Sequence, residues 1–430
     1  MTQDKTPRGP VEIRVEPATD AERYLASDRL VWFSSGSAEP PEIELRSVPQ
    51  DQRFAAEVVG SDVDPATYAG IYGVRPMHLS VPDGTGRGRA VPIAGLTWVG
   101  VHPDHRRRGL LSAMLKHHFE QTRREGGHLS ALHASEPGIY GRHGYGLASL
   151  ELEVEVGRGT IFLAPHLEDE VAAISTRFAT VDDEGVGRRR LEIDRDLQTT
   201  NVGTVLGDEQ FYADLSHVTA DDLRELEPPR VLIAVRDGHD IGYAVFTRKH
   251  KWPNSRPAAE INVSTLAGGP AARLALLRRV TDLDLSGTIT VHGVGSSDPL
   301  LSWVAGPRGL GDVRPFDSLW VRIVDLPAAL AARGYESDCD VVVEVADEQA
   351  PWNAGRWRIR VKDGAGEATA TDDAAQVELP VAALGAAYLG GANLAELHRA
   401  GVIAEHDSGA VRELWHAFRT DVGPYGARGF

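Results

Sequence analysis

The sequence predicts an α/β protein of three consecutive blocks, and two observations carry that reading. Between Val91 and Ser135 a strand, a glycine-bearing turn, a helix and a second strand follow one another, which is a βαβ unit. Between Arg230 and Val294 a hairpin is followed by strand, helix and strand again, so the middle of the chain reads as a divergent copy of its beginning. The blocks are placed at residues 11–160, 161–313 and 314–430, behind a loose polar arm of residues 1–10. At 430 residues the chain is long enough for about three domains with separate cores.

In the first block, Val11–Ser34 gives a short alternating strand, a turn and a helical stretch, and RFAAEVV from Arg53 alternates as a strand. A loop with Gly84, Gly86 and Gly88 leads into Val91–Pro103, a β-branched run that the proline ends. The next segment carries Leu110, Leu111, Met114, Leu115 and Phe119 at helical spacing and stops at Gly126 and Gly127. HLSALHAS, ending at Ser135, is the following strand.

In the middle block, RVLIAVRDGHDIGYAVFTRK is a hairpin turning at Asp237 and Gly238, AEINVSTLAG is a strand, Pro270 opens a helix, and GTITVHGV is another strand. In the third, DLPAALAARGY is helical, CDVVVEVAD and RWRIRVKDG are strands, and VAALGAAYLGG and NLAELHRAG are helices. A final helix with Val411, Leu414, Trp415 and Phe418 on one face is expected to be capped by Ser408, ahead of a glycine-rich tail in which disorder is the natural expectation.

The composition, 42% hydrophobic and 25% charged, is that of an ordinary globular chain. A net charge of −17 argues against nucleic acid and anionic membrane partners and favours a cationic one. A single cysteine, Cys339, leaves no intramolecular disulfide and no thiolate metal cluster, so a reducing cytoplasm is expected. The polar N-terminus lacks a signal-peptide core, and the most apolar stretch, Val381–Leu397, is broken by Gly385, Gly390, Gly391 and Asn393, too interrupted for a membrane span.

Chemistry concentrates in VGVHPDHRRRGLL, which comprises Val99, Gly100 and Val101 on the strand, Arg106, Arg107, Arg108 and Gly109 in the turn, and Leu110 and Leu111 at the helix start. Free N–H groups and the positive end of the helix dipole suit an anion there, and arginine engages phosphate with two donors. A solvated basic turn is the competing reading. The segment is neither a Walker loop nor a dinucleotide fingerprint.

The pattern Arg106-x-x-Gly109-x-Leu111 between strand and helix resembles the pyrophosphate loop of the GCN5-related N-acetyltransferases (GNAT), although Leu111 stands where the family has Gly or Ala. SEPGIYGRHGYG, from Ser135, resembles their tyrosine-containing segment before the final strand. These two stretches, with LWVRIVDLPAALAARGY and AAYLGG, resemble the Eis (enhanced intracellular survival) acetyltransferases over most of the chain. That resemblance implies two tandem GNAT-like mixed-sheet domains, the second degenerate, and a C-terminal α+β domain like sterol carrier proteins. It further implies acetyl-CoA as co-substrate, held by the loop residues and Ser135, with no metal, and a homo-oligomer, hexameric by analogy. The middle block lacks an arginine–glycine loop, so no coenzyme is expected there.

Acetyl transfer to an amine needs an oxyanion donor, an acid for the leaving thiolate and a base. A backbone N–H near Val101 suits the first role. Tyr140, protonated at neutral pH, is the candidate acid, with a packing role as its alternative. The resemblance implies that the terminal carboxylate of Phe430 is the base; read alone, the tail is frayed. Tyr145 is assigned to the core, as are Trp32 and Phe33, which alternatively wall an acceptor pocket. His133 and Glu136 are open between pocket lining, an alternate base and no role. His102, His105, His117 and His118 form no zinc pattern and are read as solvated or packing. Two functions are carried forward: an N-acetyltransferase for an aminoglycoside, polyamine or lysine side chain, and a non-catalytic carrier of an apolar ligand through the C-terminal domain.

Overall fold

A computed structural model describes residues 11–34, 40–60, 65–214, 227–304, 307–425 and 429–430. The expected N-terminal arm lies outside the described residues. Among these residues three sheets of eight, seven and five strands organise the chain.

The first sheet runs Ile13–Pro17, Arg53–Val58, Gly70–Pro82, Gly88–Val101, Leu129–His133, Leu319–Ile323 and Gly146–Leu147, with Val205–Leu206 beside Gly70–Pro82. Its one parallel pair joins Gly88–Val101 to Leu129–His133, connected by the helix Leu110–Arg124, which buries Leu110, Met114, Leu115 and Phe119 against the sheet. The second sheet runs Val313–Asp317, Leu150–Gly157, Ser286–Gly295, Ala259–Gly268, His239–Lys249, Arg230–Arg236 and Ser175–Thr180. Its one parallel pair, Ala259–Gly268 with Ser286–Gly295, is again joined by a helix, Pro270–Thr281, so the two sheets are tandem versions of one architecture. The hairpin that joins Arg230–Arg236 to His239–Lys249 turns on Asp237 and Gly238, both at positive φ, as a tight two-residue turn requires. The third sheet, Ala365–Ala370, Gly355–Lys362, Cys339–Ala346, Val377–Pro380 and Ala404–Glu405, packs against helices that include Val381–Ala387 and Ala410–Phe418.

The sheets do not divide where the sequence blocks were expected to divide, at 160 and 313. Leu150–Gly157 belongs to the second sheet, whereas Val205–Leu206 and Leu319–Ile323 return to the first. Leu319–Ile323 lies between two strands, with Leu319, Val321 and Ile323 fully buried, which explains why a strand so late in sequence completes the first domain. The neighbouring Arg322 is also buried; its guanidinium pairs with Asp347 at 2.7 and 2.8 Å and stacks 4.6 Å above the Phe119 ring, tying the third domain to the first.

Two further expectations change. The strand Gly70–Pro82 goes unannounced because Pro76 interrupts it; that residue sits between the stretch paired with Arg53–Ala56 and the stretch paired with Val205–Leu206, where its missing N–H is not needed on that side. Ser408 is not the cap of the last helix. Gly409 occupies that place at φ +96°, and the Glu405 carboxylate accepts from the N–H groups of Gly409 and Val411 at 3.1 and 2.9 Å.

Candidate active site

Gly88–Val101 pairs with Leu129–His133 only at Ala94 and Gly95; beyond Gly95 the two strands part. On its other side it stays bonded to Gly70–Pro82, but with one extra residue: Ile71 faces Gly100 while Gly73 faces Thr97. This bulge places Trp98 at φ +54° and bends the strand away from its parallel neighbour. The fork so formed opens a cavity of about 860 Å³. Strand N–H and C=O groups on the fork side lack a strand partner, so the gap presents backbone donors and acceptors to whatever enters it.

The turn expected to bind an anion borders this cavity. Gly109 stands at φ +86° before the helix and supplies no side-chain cap, leaving the first helical N–H groups for a ligand. A Cβ built on Gly109 would meet nothing within 4 Å, so the glycine answers a conformational demand and faces open space. Arg106, Arg107, Gly109, Leu110 and Leu111 line the cavity with Val99, Gly100 and Val101. Arg108 does not: Arg107 takes φ +63°, and the chain turns the Arg108 guanidinium back onto His105 Nδ1 at 3.3 Å.

Ser135, Glu136, Tyr140 and Phe430 complete the wall. Burial, with the Glu136 carboxylate adding to it, pushes the Tyr140 phenol up to about 12. Tyr145 is core, as expected: its ring meets Tyr140 edge-on at 5.8 Å, and its hydroxyl joins Ser130 Oγ, which in turn contacts His118 Nε2, each at 2.8 Å. Burial pushes His118 down to about 3. His117 Nδ1 bonds the Tyr72 hydroxyl at 2.7 Å, and His102 Nδ1 accepts from the Asp104 N–H at 3.1 Å, so these histidines serve local structure. Among the described residues no group of three metal-ligating side chains converges. Trp32 and Phe33 are not core: they are 52% and 85% exposed, because the helix buries its Tyr24–Leu25 face and Phe33 takes the left-handed cap conformation beyond it. Trp32 lines the cavity.

Sequence reading missed His143, Glu348 and Gln349, which also line the cavity. His143 is buried, and that burial lowers its pKa. Glu348 and Gln349 come from the third domain beside Asp347, whose pairing with Arg322 brings them there. No local pattern signals a contact so distant in sequence.

A parallel-strand fork beside a basic, glycine-containing helix start defines the chain as a GNAT-class acyltransferase. A family model for the acetyltransferase (GNAT) domain matches residues 57–148, and one for a sterol carrier protein domain matches residues 326–427. An uncharacterized N-acetyltransferase of Streptomyces avermitilis is 34% identical over 84% of this chain and 86% of its own. N-acetyltransferase Eis of Mycobacterium tuberculosis is 31% identical over 80% of this chain and 82% of its own. The crystal structure of Eis1 from Mycobacterium abscessus superposes with a TM-score of 0.79 at 26% identity, covering 97% of this chain and all of that one. The chain belongs to the Eis-like family of GCN5-related N-acetyltransferases, and it is an N-acetyltransferase. Among the described residues no helix is long and apolar enough to cross a membrane.

Proposed function

We propose that the protein transfers an acetyl group from acetyl-CoA to a primary amine of a small cationic acceptor, an aminoglycoside, a polyamine or a lysine side chain, by direct attack. The observation that carries this reading is that Tyr140 and Phe430 line the same cavity as Arg106, Arg107 and Gly109. The uncapped helix start and the open space at Gly109 fit a pyrophosphate, with Arg106 and Arg107 as its side-chain donors. Acetyl-CoA supplies an activated thioester; the chain's residues supply the rest.

The fork backbone from Val99 to Val101 orients the acyl arm, and a Val101 N–H stabilises developing oxygen charge, a role worth about 3 kcal/mol. Tyr140, protonated across the neutral range, donates to the leaving sulfur. The terminal carboxylate of Phe430 accepts the amine proton, directly or through water. Glu136 and Glu348 on the cavity wall, within a chain of net charge −17, favour a cationic acceptor. The lone Cys339, buried in the third domain, suits a reducing cytoplasm.

Thiol release from acetyl-CoA in the presence of a panel of amines tests this reading. Amine-dependent release is expected with at least one polycationic acceptor; its absence across the panel overturns the proposal. The assembly proposed by family analogy is a homohexamer, and sedimentation showing only the 46.4 kDa chain at micromolar concentration would remove it.

A further inference from the structure

The second sheet contains a fork of its own. Ala259–Gly268 pairs with Ser286–Gly295 from Ala259 to Val263 and then parts from it, as the equivalent strands do in the first sheet. The cavity in this second opening is only about 180 Å³. Arg273, from the first turns of the following helix, turns into it: the buried guanidinium donates to the Leu266 carbonyl on the parted strand and is held by Asp298. Asp298 is itself fixed, accepting from the Leu300 N–H at 2.9 Å.

The C-terminal segment crosses this filled fork. The Gly423 N–H donates to Ser297 Oγ at 3.2 Å, and the Tyr425 N–H donates to the Val202 carbonyl at 2.8 Å. The Tyr425 ring lies 5.5 Å from the Arg273 guanidinium. Gly203, at φ +92°, lets the tail pass: a Cβ there would stand 2.9 Å from the Tyr425 carbonyl oxygen and 3.1 Å from Pro424 Cβ. Gly429 borders the second cavity and Phe430 the first, so the last two residues join the two forks.

We infer that the second fork is a clamp for the chain's own tail, in which Arg273 and Tyr425 are positioning residues that fix the Phe430 carboxylate in the catalytic fork of the first domain. The inference rests on Phe430 being the base, and it assigns the degenerate domain a part in the reaction. Chain entropy is the physical need: a group that is not held in place samples many positions, and a misplacement of about 1 Å can cost about a hundredfold in rate. A ring 5.5 Å from a buried guanidinium that is itself bonded to Leu266 and Asp298 restricts the chain at Tyr425, five residues before Phe430.

The test uses the full-length protein with a native C-terminus. Tyr425→Ala is expected to lower kcat at least about tenfold while KM for acetyl-CoA and the melting temperature stay unchanged, since a displaced group slows the chemistry without touching the coenzyme. Tyr425→Phe keeps the ring and is expected to retain wild-type kcat. A readout independent of turnover is the release of phenylalanine by a carboxypeptidase selective for aromatic termini, expected to be about tenfold faster from Tyr425→Ala than from wild type if docking is lost. Tyr425→Leu replaces the alanine variant if that one does not fold. Wild-type kcat and wild-type release in Tyr425→Ala overturn the clamp. Deleting Phe430 separates the two readings: lost turnover on deletion with full turnover in Tyr425→Ala overturns the clamp alone, whereas full turnover on deletion overturns the terminal base and the clamp's catalytic role with it.

Discussion

The ring of Phe430 stands edge-on to the imidazole of His133, with centroids 5.3 Å apart. His133 ends the strand Leu129–His133, so Phe430 is seated beside the point where the two parallel strands separate. The same ring approaches Gly95, the last residue paired across the fork, closely enough that a Cβ there would come within 3.0 Å of it. The Phe430 ring is thus packed between His133 and Gly95 at the mouth of the fork, an apolar contact that a glycine or serine at this position would lack.

The loop assignment predicts a graded loss of coenzyme affinity. Arg107→Ala removes a charge-assisted donor and is expected to weaken acetyl-CoA binding about tenfold, or about 1.4 kcal/mol. Gly109→Asp should cost more, because it forces a non-glycine residue into φ +86° and sets a carboxylate where the pyrophosphate would lie. Both positions are in a solvent-facing turn, so the melting temperature should move by only a few degrees. Titration calorimetry giving wild-type affinity for both variants would refute the assignment.

For Tyr140, the direction of its pKa fixes the expected pH profile. A phenol pushed up to about 12 by burial stays protonated through pH 7 to 10, so it should set no alkaline limit on kcat in that range. Tyr140→Phe is expected to lower kcat about a hundredfold with KM for acetyl-CoA little changed. An alkaline decline near pH 9 that disappears in Tyr140→Phe would show instead that the phenol must ionise, and the acid role would be wrong.

How far the sequence announces this structure depends on the range of the interactions involved. Leu110, Met114, Leu115 and Phe119 recur at helical spacing and do form one buried face, and the turn at Gly109 is legible because positive φ selects glycine. Both are local. The bulge at Trp98 has no sequence signature, since a tryptophan at φ +54° is a residue that statistics would not place there. The return of Leu319–Ile323 to the first sheet, and the arrival of Glu348 and Gln349 at the cavity, follow from burial and from the Arg322–Asp347 pair, which join segments far apart in sequence. Trp32 and Phe33 mislead for a related reason: aromatic residues read as core unless the local end of the helix is known.

Acid stability should report on His118. Its pKa is about 3 in the folded chain because burial disfavours the charged form, against about 6.5 when unfolded. Between those values the unfolded chain binds a proton that the native chain does not, so stability falls as pH drops below about 6.5. At pH 5 the loss from this residue alone is about 2 kcal/mol. Urea denaturation at pH 7 and pH 5 measures the slope. His118→Gln removes the titrating group, and its slope should be flatter; an identical pH dependence in both proteins would show that His118 does not set it.

The terminal carboxylate gives the last prediction, because extending the chain by even one residue alters chemistry at a single atom group. A C-terminal affinity tag converts the Phe430 carboxylate to a peptide carbonyl, which cannot accept a proton, and pushes additional chain into a cavity already bordered by His133, Tyr140 and Glu136. Removing Phe430 leaves a carboxylate on Gly429 about 3.5 Å short of the same place and without its aromatic anchor. Both changes should lower kcat about a hundredfold or more, while acetyl-CoA affinity, which the proposal assigns to Arg106, Arg107 and the helix start, should hold. A tag at Met1 is the control, since it leaves the terminal carboxylate intact. Side-by-side turnover measurements on the two tagged proteins decide the matter: equal rates would exclude the terminal base and direct attention to Glu136, or to a water held near His133, for the proton of the attacking amine.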